Sequence, residues 1–292
     1  MQYIDVFLRE LPCGWLNLAT SCRKENVEQL RNISAKLAER YPLYEGFIYN
    51  YKVEVGTTCF NNHRDLLINY YENAPESLKR ELLIRRNEHG LYSCPFCGNP
   101  KKPDTLDHFI PKDQWPEYSI FSNNLVPQCR NCAPIKGEEY YCVEDGSAKF
   151  IHPIYSDILD KFRFKIKVAF DTKENRPTFS VLLKRISSTE SGEDKRVQLH
   201  IKNLKVKQRI MKYCQDDYRR WKKKLSNKSF DIRKALQIRL DEIPINDIGI
   251  DWESAFNEGL LNNKDAINYL HSLRPHAIDE SVLPIAEELE IE

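Results

Sequence analysis

Two pairs of cysteines, Cys94-Pro-Phe-Cys97 and Cys129-Arg-Asn-Cys132, carry the strongest chemical signal in the sequence. Thiolates two residues apart on a tight turn reach one tetrahedral Zn²⁺ together, and a second pair alongside completes its coordination. A closed Cys₄ shell leaves no position open to substrate, so the spacing predicts a structural zinc site. The stretch between the pairs is longer than a simple zinc ribbon needs, and it contains Asp107-His108. A carboxylate is a ligand for a hard cation such as Mg²⁺ or Mn²⁺, and an imidazole that titrates near neutrality suits a general base acting on water. Hydrolysis of a phosphodiester uses both, a base for the attacking water and a cation on the scissile phosphate. Neighbouring residues on a strand point to opposite faces. A distorted strand beside a helix is what lets Asp107 face a metal while His108 faces the water.

Around these residues run Thr105-Leu-Asp-His-Phe-Ile-Pro-Lys112, Tyr118-Ser-Ile120, Asn124-Leu-Val-Pro127 and Lys136-Gly137. Over residues 91–140 this pattern resembles the zinc-bearing branch of the HNH (ββα-metal) endonucleases. That branch joins C-x-x-C, an Asp-His strand, an Asn-Leu strand and C-x-x-C-[Asn/His]-x-x-Lys. More narrowly, the chain is similar to the HNH nuclease subunits of bacterial antiphage defence operons of the Septu type, which work beside an ATPase. Phe150-Ile-His-Pro153 and the segment after it look like the same group. The resemblance implies that Asp107 ligates a catalytic Mg²⁺ or Mn²⁺ and that His108 is the base. It also implies that Asn124, with Asn123 as a neighbouring rival, steadies the loop and orients the His108 ring. Its implied partners are double-stranded DNA and an ATPase subunit. Lys112, Arg130 and Lys136 are candidate phosphate contacts, against the plainer reading that they solvate the surface.

One position departs from the pattern. Where the family has Asn or His directly after the last zinc cysteine, this chain has Ala133, whose methyl group coordinates nothing. A site with Asp107 as its one protein ligand is thin for Mg²⁺. Three readings stand open: a residue introduced to silence the enzyme, a degenerate nuclease that still binds nucleic acid, or an enzyme that takes its ligand from Asn131 or His152. His152 is otherwise expected to be a packed, structural histidine, and His63, His89, His200, His271 and His276 carry no motif.

The elements around these residues read as α+β. Val27, Leu30, Ile33 and Leu37 recur at three- and four-residue intervals and predict a helix over residues 24–41. Residues 62–87 predict two more, divided at Pro75 and ended before Gly90. A helical N-terminal region (1–90) therefore precedes the zinc-stapled module (91–140), where short strands and loops carry the chemistry and helix resumes near Cys132. In the C-terminal region (141–292), alternation over 162–170 and 179–183 predicts a β-hairpin with one buried face. Helices are expected over 206–225, 231–241, 252–260 and 263–273, followed by a short acidic ending.

Composition bounds the rest. Hydrophobic residues at 41%, charged residues at 30% and a net charge of +1 describe a globular chain with a core, not a disordered or membrane-spanning one. The first ten residues lack the basic start and apolar run of a signal peptide, so a cytoplasmic location is expected. The near-neutral total hides a separation of signs, with lysine and arginine concentrated over 195–228 and acids over 279–292. Cys13, Cys22, Cys59, Cys142 and Cys214 fall outside the zinc pattern and are expected as free thiols. The leading expectation is a metal-dependent endonuclease acting on DNA. Its rivals are a non-catalytic zinc module that binds nucleic acid or protein, and an HNH enzyme that cuts RNA.

Overall fold

The computed structural model describes residues 1–275, and the acidic ending and His276 lie outside the described residues. The chain opens with helices α1 (Gly14–Thr20), α2 (Val27–Arg40), α3 (Leu43–Tyr49), α4 (Arg64–Glu72) and α5 (Glu76–Asn87). In α2 the four apolar residues at helical spacing are all buried, as the periodicity predicts. Pro75 takes the extended conformation at the start of α5 and separates it from α4. A proline cannot donate into the preceding turn, and its φ suits a helix beginning. The seven-residue α1 and α3 are too short to show a periodic stripe.

At the centre, β1 (Thr105–His108) pairs antiparallel with β2 (Leu125–Gln128), placing Asp107 opposite Val126 and His108 opposite Leu125. Two 3-10 turns, Pro116–Tyr118 and Ser122–Asn124, fold the connection between them. The one-turn helix α6 (Ala133–Lys136) follows the second cysteine pair. A two-residue pair, β3 (Tyr141–Cys142) with β4 (Ser147–Ala148), then leads to the long hairpin β5 (Phe162–Asp171) and β6 (Arg176–Arg185). The expected buried face of that hairpin is made by Phe162, Phe164, Ile166 and Phe179.

Helices α7 (Glu193–Asn203), α8 (Val206–Asn227), α9 (Ile232–Asp241), α10 (Trp252–Leu261) and α11 (Lys264–Ser272) complete the described chain. Helix α10 lies so close on β5 that a Cβ at Gly259 would sit 2.3 Å from the Ile166 carbonyl oxygen, which only glycine avoids. The apolar core is continuous through all three sequence regions, joining Leu30 and Tyr44, Phe96 and Phe109, and Phe164 and Phe256. Among the described residues no helix is long and apolar enough to cross a membrane.

Candidate functional site

The four predicted cysteines meet. The sulfur atoms of Cys94, Cys97, Cys129 and Cys132 all lie within 4.8 Å of one another, and every one of these residues is buried. The Cys97 and Cys129 sulfurs are 3.8 Å apart. A disulfide would bring them to about 2.0 Å, whereas a tetrahedron with metal–sulfur bonds of about 2.3 Å has edges of about 3.8 Å. The donor set therefore fits a structural metal such as zinc. Electrostatics agree: burial pushes the Cys97 thiol well above its ordinary range, while Cys132, Cys94 and Cys97 together hold Cys129 below it. Clustered buried thiols resist ionising together unless a cation sits among them.

Distant parts of the chain lock this centre. Arg209 on α8 directs one guanidinium nitrogen to Cys132 Sγ at 3.3 Å and the other to Cys97 Sγ at 3.4 Å, offsetting the negative charge of a metal tetrathiolate. Trp252 Nε1 donates to the Cys97 carbonyl at 2.6 Å. Gly98 turns the first knuckle at φ +71°, where a Cβ would meet Phe164 at 2.7 Å and the Ile250 carbonyl at 2.9 Å. Cys132 is also the residue that starts α6, so its sulfur fixes where that helix begins.

His108 stands at the end of β1. Its Nε2–H donates to the Ser119 carbonyl at 2.9 Å, which leaves the lone pair on Nδ1. Among the described residues nothing hydrogen-bonds that Nδ1. The Tyr71 ring of α4 meets the imidazole edge-on with centroids 4.4 Å apart. Burial pushes the His108 pKa down to about 3, against the opposing hydrogen bond to Ser119 and with help from the Lys112 and Lys136 ammonium groups. The resting ring is neutral at pH 7 and holds an acceptor nitrogen in fixed orientation, but it does not titrate near neutrality as the sequence leads one to expect, because burial disfavours the imidazolium.

Asp107 pairs with Lys136, Nζ to Oδ2 at 3.1 Å, and both side chains are largely withdrawn from solvent. Burial raises the Asp107 pKa and the lysine opposes the shift. The same Nζ donates to the carbonyls of His108 at 3.0 Å and Phe109 at 3.1 Å. Lys136, expected as a phosphate contact, is thus an internal clamp that ties α6 to β1; its ammonium is occupied by three oxygens. Replacing Lys136 by Met strips the carboxylate of its counter-charge. Breaking such a buried pair costs about 3–5 kcal/mol, so the urea midpoint should fall clearly, with Asp107→Asn in the same chain recovering part of the loss. An unchanged midpoint would show that the pair contributes nothing.

Asn124 is fully buried and uses its whole amide. Its Oδ1 accepts from the Ile110 N–H and the Tyr44 hydroxyl, both at 2.7 Å, and its Nδ2 donates to the carbonyls of Ile110 at 2.9 Å and Tyr118 at 3.1 Å. These contacts tie the chain at Ile110 and Tyr118 to Asn124, and none of them reaches the His108 ring, whose partner is the Ser119 carbonyl, one residue beyond Tyr118. Asn123 is engaged elsewhere, exchanging hydrogen bonds with the Arg9 backbone at 2.8 Å. His152 donates from Nε2 to Tyr44 Oη at 3.1 Å and accepts on Nδ1 from the Ile154 N–H at 3.1 Å. Both its nitrogens are committed and the ring is packed, so it offers no ligand at residue 133.

Arg85 of α5, absent from the sequence reading, is buried and donates to three carbonyls: Leu125 at 3.0 Å, Phe7 at 2.7 Å and Ser122 at 2.8 Å. It anchors the start of β2 across from His108. A buried guanidinium satisfied by main chain leaves no carboxylate partner in the sequence to betray it.

Of the remaining predicted contacts, Lys112 pairs with Glu72 at 3.0 Å and Arg130 with Asp104 at 2.5 Å, both near solvent. Ala133 is exposed at the start of α6, one turn before Lys136 and so on the same side of the helix. Beside Asp107 a divalent cation would meet one carboxylate already paired with an ammonium, and Ala133 has no donor atom to add to it. The residues present do not fit a catalytic Mg²⁺ or Mn²⁺. Asn131 is exposed and lines a cleft on the flank of α6 whose wall includes none of Asp107, His108 or Ala133.

No family model and no solved structure matches the chain. It is similar to protein ea31 of Escherichia phage lambda, with 32% identity over 103 residues, 35% of this chain. The chain thus spans 31% of that relative's length.

Proposed function

We propose that the protein is an HNH-type endonuclease of DNA whose present sequence lacks one ligand of its catalytic metal site. The observation that carries the reading is the arrangement around His108. An antiparallel β1–β2 pair and the α6 turn enclose it, the cysteine cluster staples them, and a neutral imidazole has Nε2–H fixed on Ser119 and Nδ1 left free. In hydrolysis, Nδ1 takes the proton of a water as its oxygen attacks phosphorus, and the leaving strand departs from the opposite side. The resemblance extends the proposal to an effector of antiphage defence, with an ATPase as partner of the flanking helices.

Residue 133 decides activity on this reading. Ala133→His or Ala133→Asn puts a donor on the side of α6 that bears Lys136, and should raise nicking of supercoiled plasmid in Mg²⁺ or Mn²⁺ by ~100-fold or more, the several kcal/mol that a competent metal supplies. Equal activity of the alanine, asparagine and histidine proteins would sink the proposal. The Asp107–Lys136 pair favours a second reading, a degenerate module that binds nucleic acid without cutting it. That reading expects binding to duplex and no nicking by any of the three proteins. Parallel digestion of tRNA separates a DNA from an RNA substrate.

A further inference from the structure

A cleft of about 810 Å³ opens between the second cysteine knuckle and helix α8. Its walls bring Lys101 and Arg130 from the knuckle side to face Lys212 and Lys224 from α8. The acids in the same walls do not cancel these charges, because each already has an arginine: Asp216 with Arg219 at 3.0 Å, Asp217 with Arg220 at 2.6 Å and Glu253 with Arg239 at 3.0 Å. Arg209 is spent on the thiolates and Arg130 on Asp104. The ammonium groups of Lys101, Lys212 and Lys224 are exposed and have no ion pair among the described residues. Converging unpaired cations in an open polar cleft are the footprint of a polyanion.

The cleft also lies in a telling place. Pro134 and Ile135 of α6 form part of its wall, while Lys136 of the same turn points to Asp107. The cleft thus opens along α6, the same turn whose Lys136 is paired with Asp107 next to His108.

We infer that this cleft holds the phosphodiester backbone of duplex DNA flanking the phosphate presented to His108, with Lys101, Lys212 and Lys224 as its phosphate contacts. The direction of the strand rests on the nuclease reading; the binding itself does not.

The test is binding of a labelled DNA duplex to the full chain over a series of salt concentrations, without Mg²⁺ or Mn²⁺. Each phosphate contact contributes about 0.9 to the slope of log K against log salt. The triple variant Lys101→Ala, Lys212→Ala, Lys224→Ala should therefore flatten the slope by up to about 2.7. Lys36→Ala, Lys79→Ala, Lys173→Ala makes the same change of charge at exposed lysines elsewhere and should leave the slope as in the parent. Equal slopes for both variants, no duplex binding by the parent, or displacement of the duplex by poly-glutamate at equal charge concentration would each overturn the inference. Failure here with nicking restored through residue 133 condemns the cleft alone. A flattened slope with no nicking by any residue-133 variant condemns the nuclease reading alone.

Discussion

Cys132→Ser is expected to abolish metal binding and unfold the centre of the protein. The parent should carry one equivalent of zinc by elemental analysis, and the variant none. Structural zinc sites of this kind contribute apparent binding energies of about 10–16 kcal/mol, as large as the whole stability of an ordinary domain at about 5–15 kcal/mol. The loss spreads because the cluster organises what surrounds it. Cys132 begins α6, Arg209 brings α8 to the sulfurs, and Trp252 ties α10 to the first knuckle. Circular dichroism and thermal melting should show a lower and less cooperative transition for Cys132→Ser, whereas Cys214→Ser, at a buried thiol outside the cluster, should keep its zinc. Purified parent protein that is folded and free of zinc would defeat the assignment.

The second large effect concerns His108 and is read in the Ala133→His or Ala133→Asn protein, where cleavage is expected. His108→Ala should lower the nicking rate by ~10²–10⁴-fold, the range of a lost general base. Affinity for duplex, measured without divalent metal, should change little, because the ring is not one of the cations that hold phosphate. The pH profile carries the sign of the argument. The base acts when deprotonated, and burial places its pKa at about 3, so the acid limb of kcat/KM should lie well below the ordinary imidazole value of about 6.5. A full rate in His108→Ala would remove the residue from the mechanism. A limb at the ordinary value would show the ring to be more solvated than its packing against Tyr71 and Ser119 indicates.

Much of the fold is local enough to be legible in sequence. The stripe in α2, the break at Pro75 and the alternation of β5 and β6 each depend on neighbours within a few residues, and each appears where expected. The less periodic pieces give no such signal: helix α7 overlaps the start of a run dominated by lysine and arginine, and the two-residue strands β3 and β4 are too short for alternation to register.

At the site the same division holds. Cysteine spacing is a local property of a turn, so the sequence alone determined which four sulfurs form a centre, and it drew attention to Asp107, His108 and Ala133. What tertiary structure decided is how those side chains are used. Lys136 looks like any surface lysine in sequence, and its burial follows from carbonyls 27 and 28 residues away that need a donor. Asn124 is drawn from the ring to the loop by competing partners at Ile110, Tyr118 and Tyr44. Arg209 reaches thiolates up to 112 residues distant, and its neighbours Lys212 and Lys224 become one wall of a cleft whose other wall is the cysteine knuckle. Ligand types and turns are written over three or four residues, whereas burial, charge pairing and the shape of a cleft depend on groups that only folding brings within a few ångströms of one another.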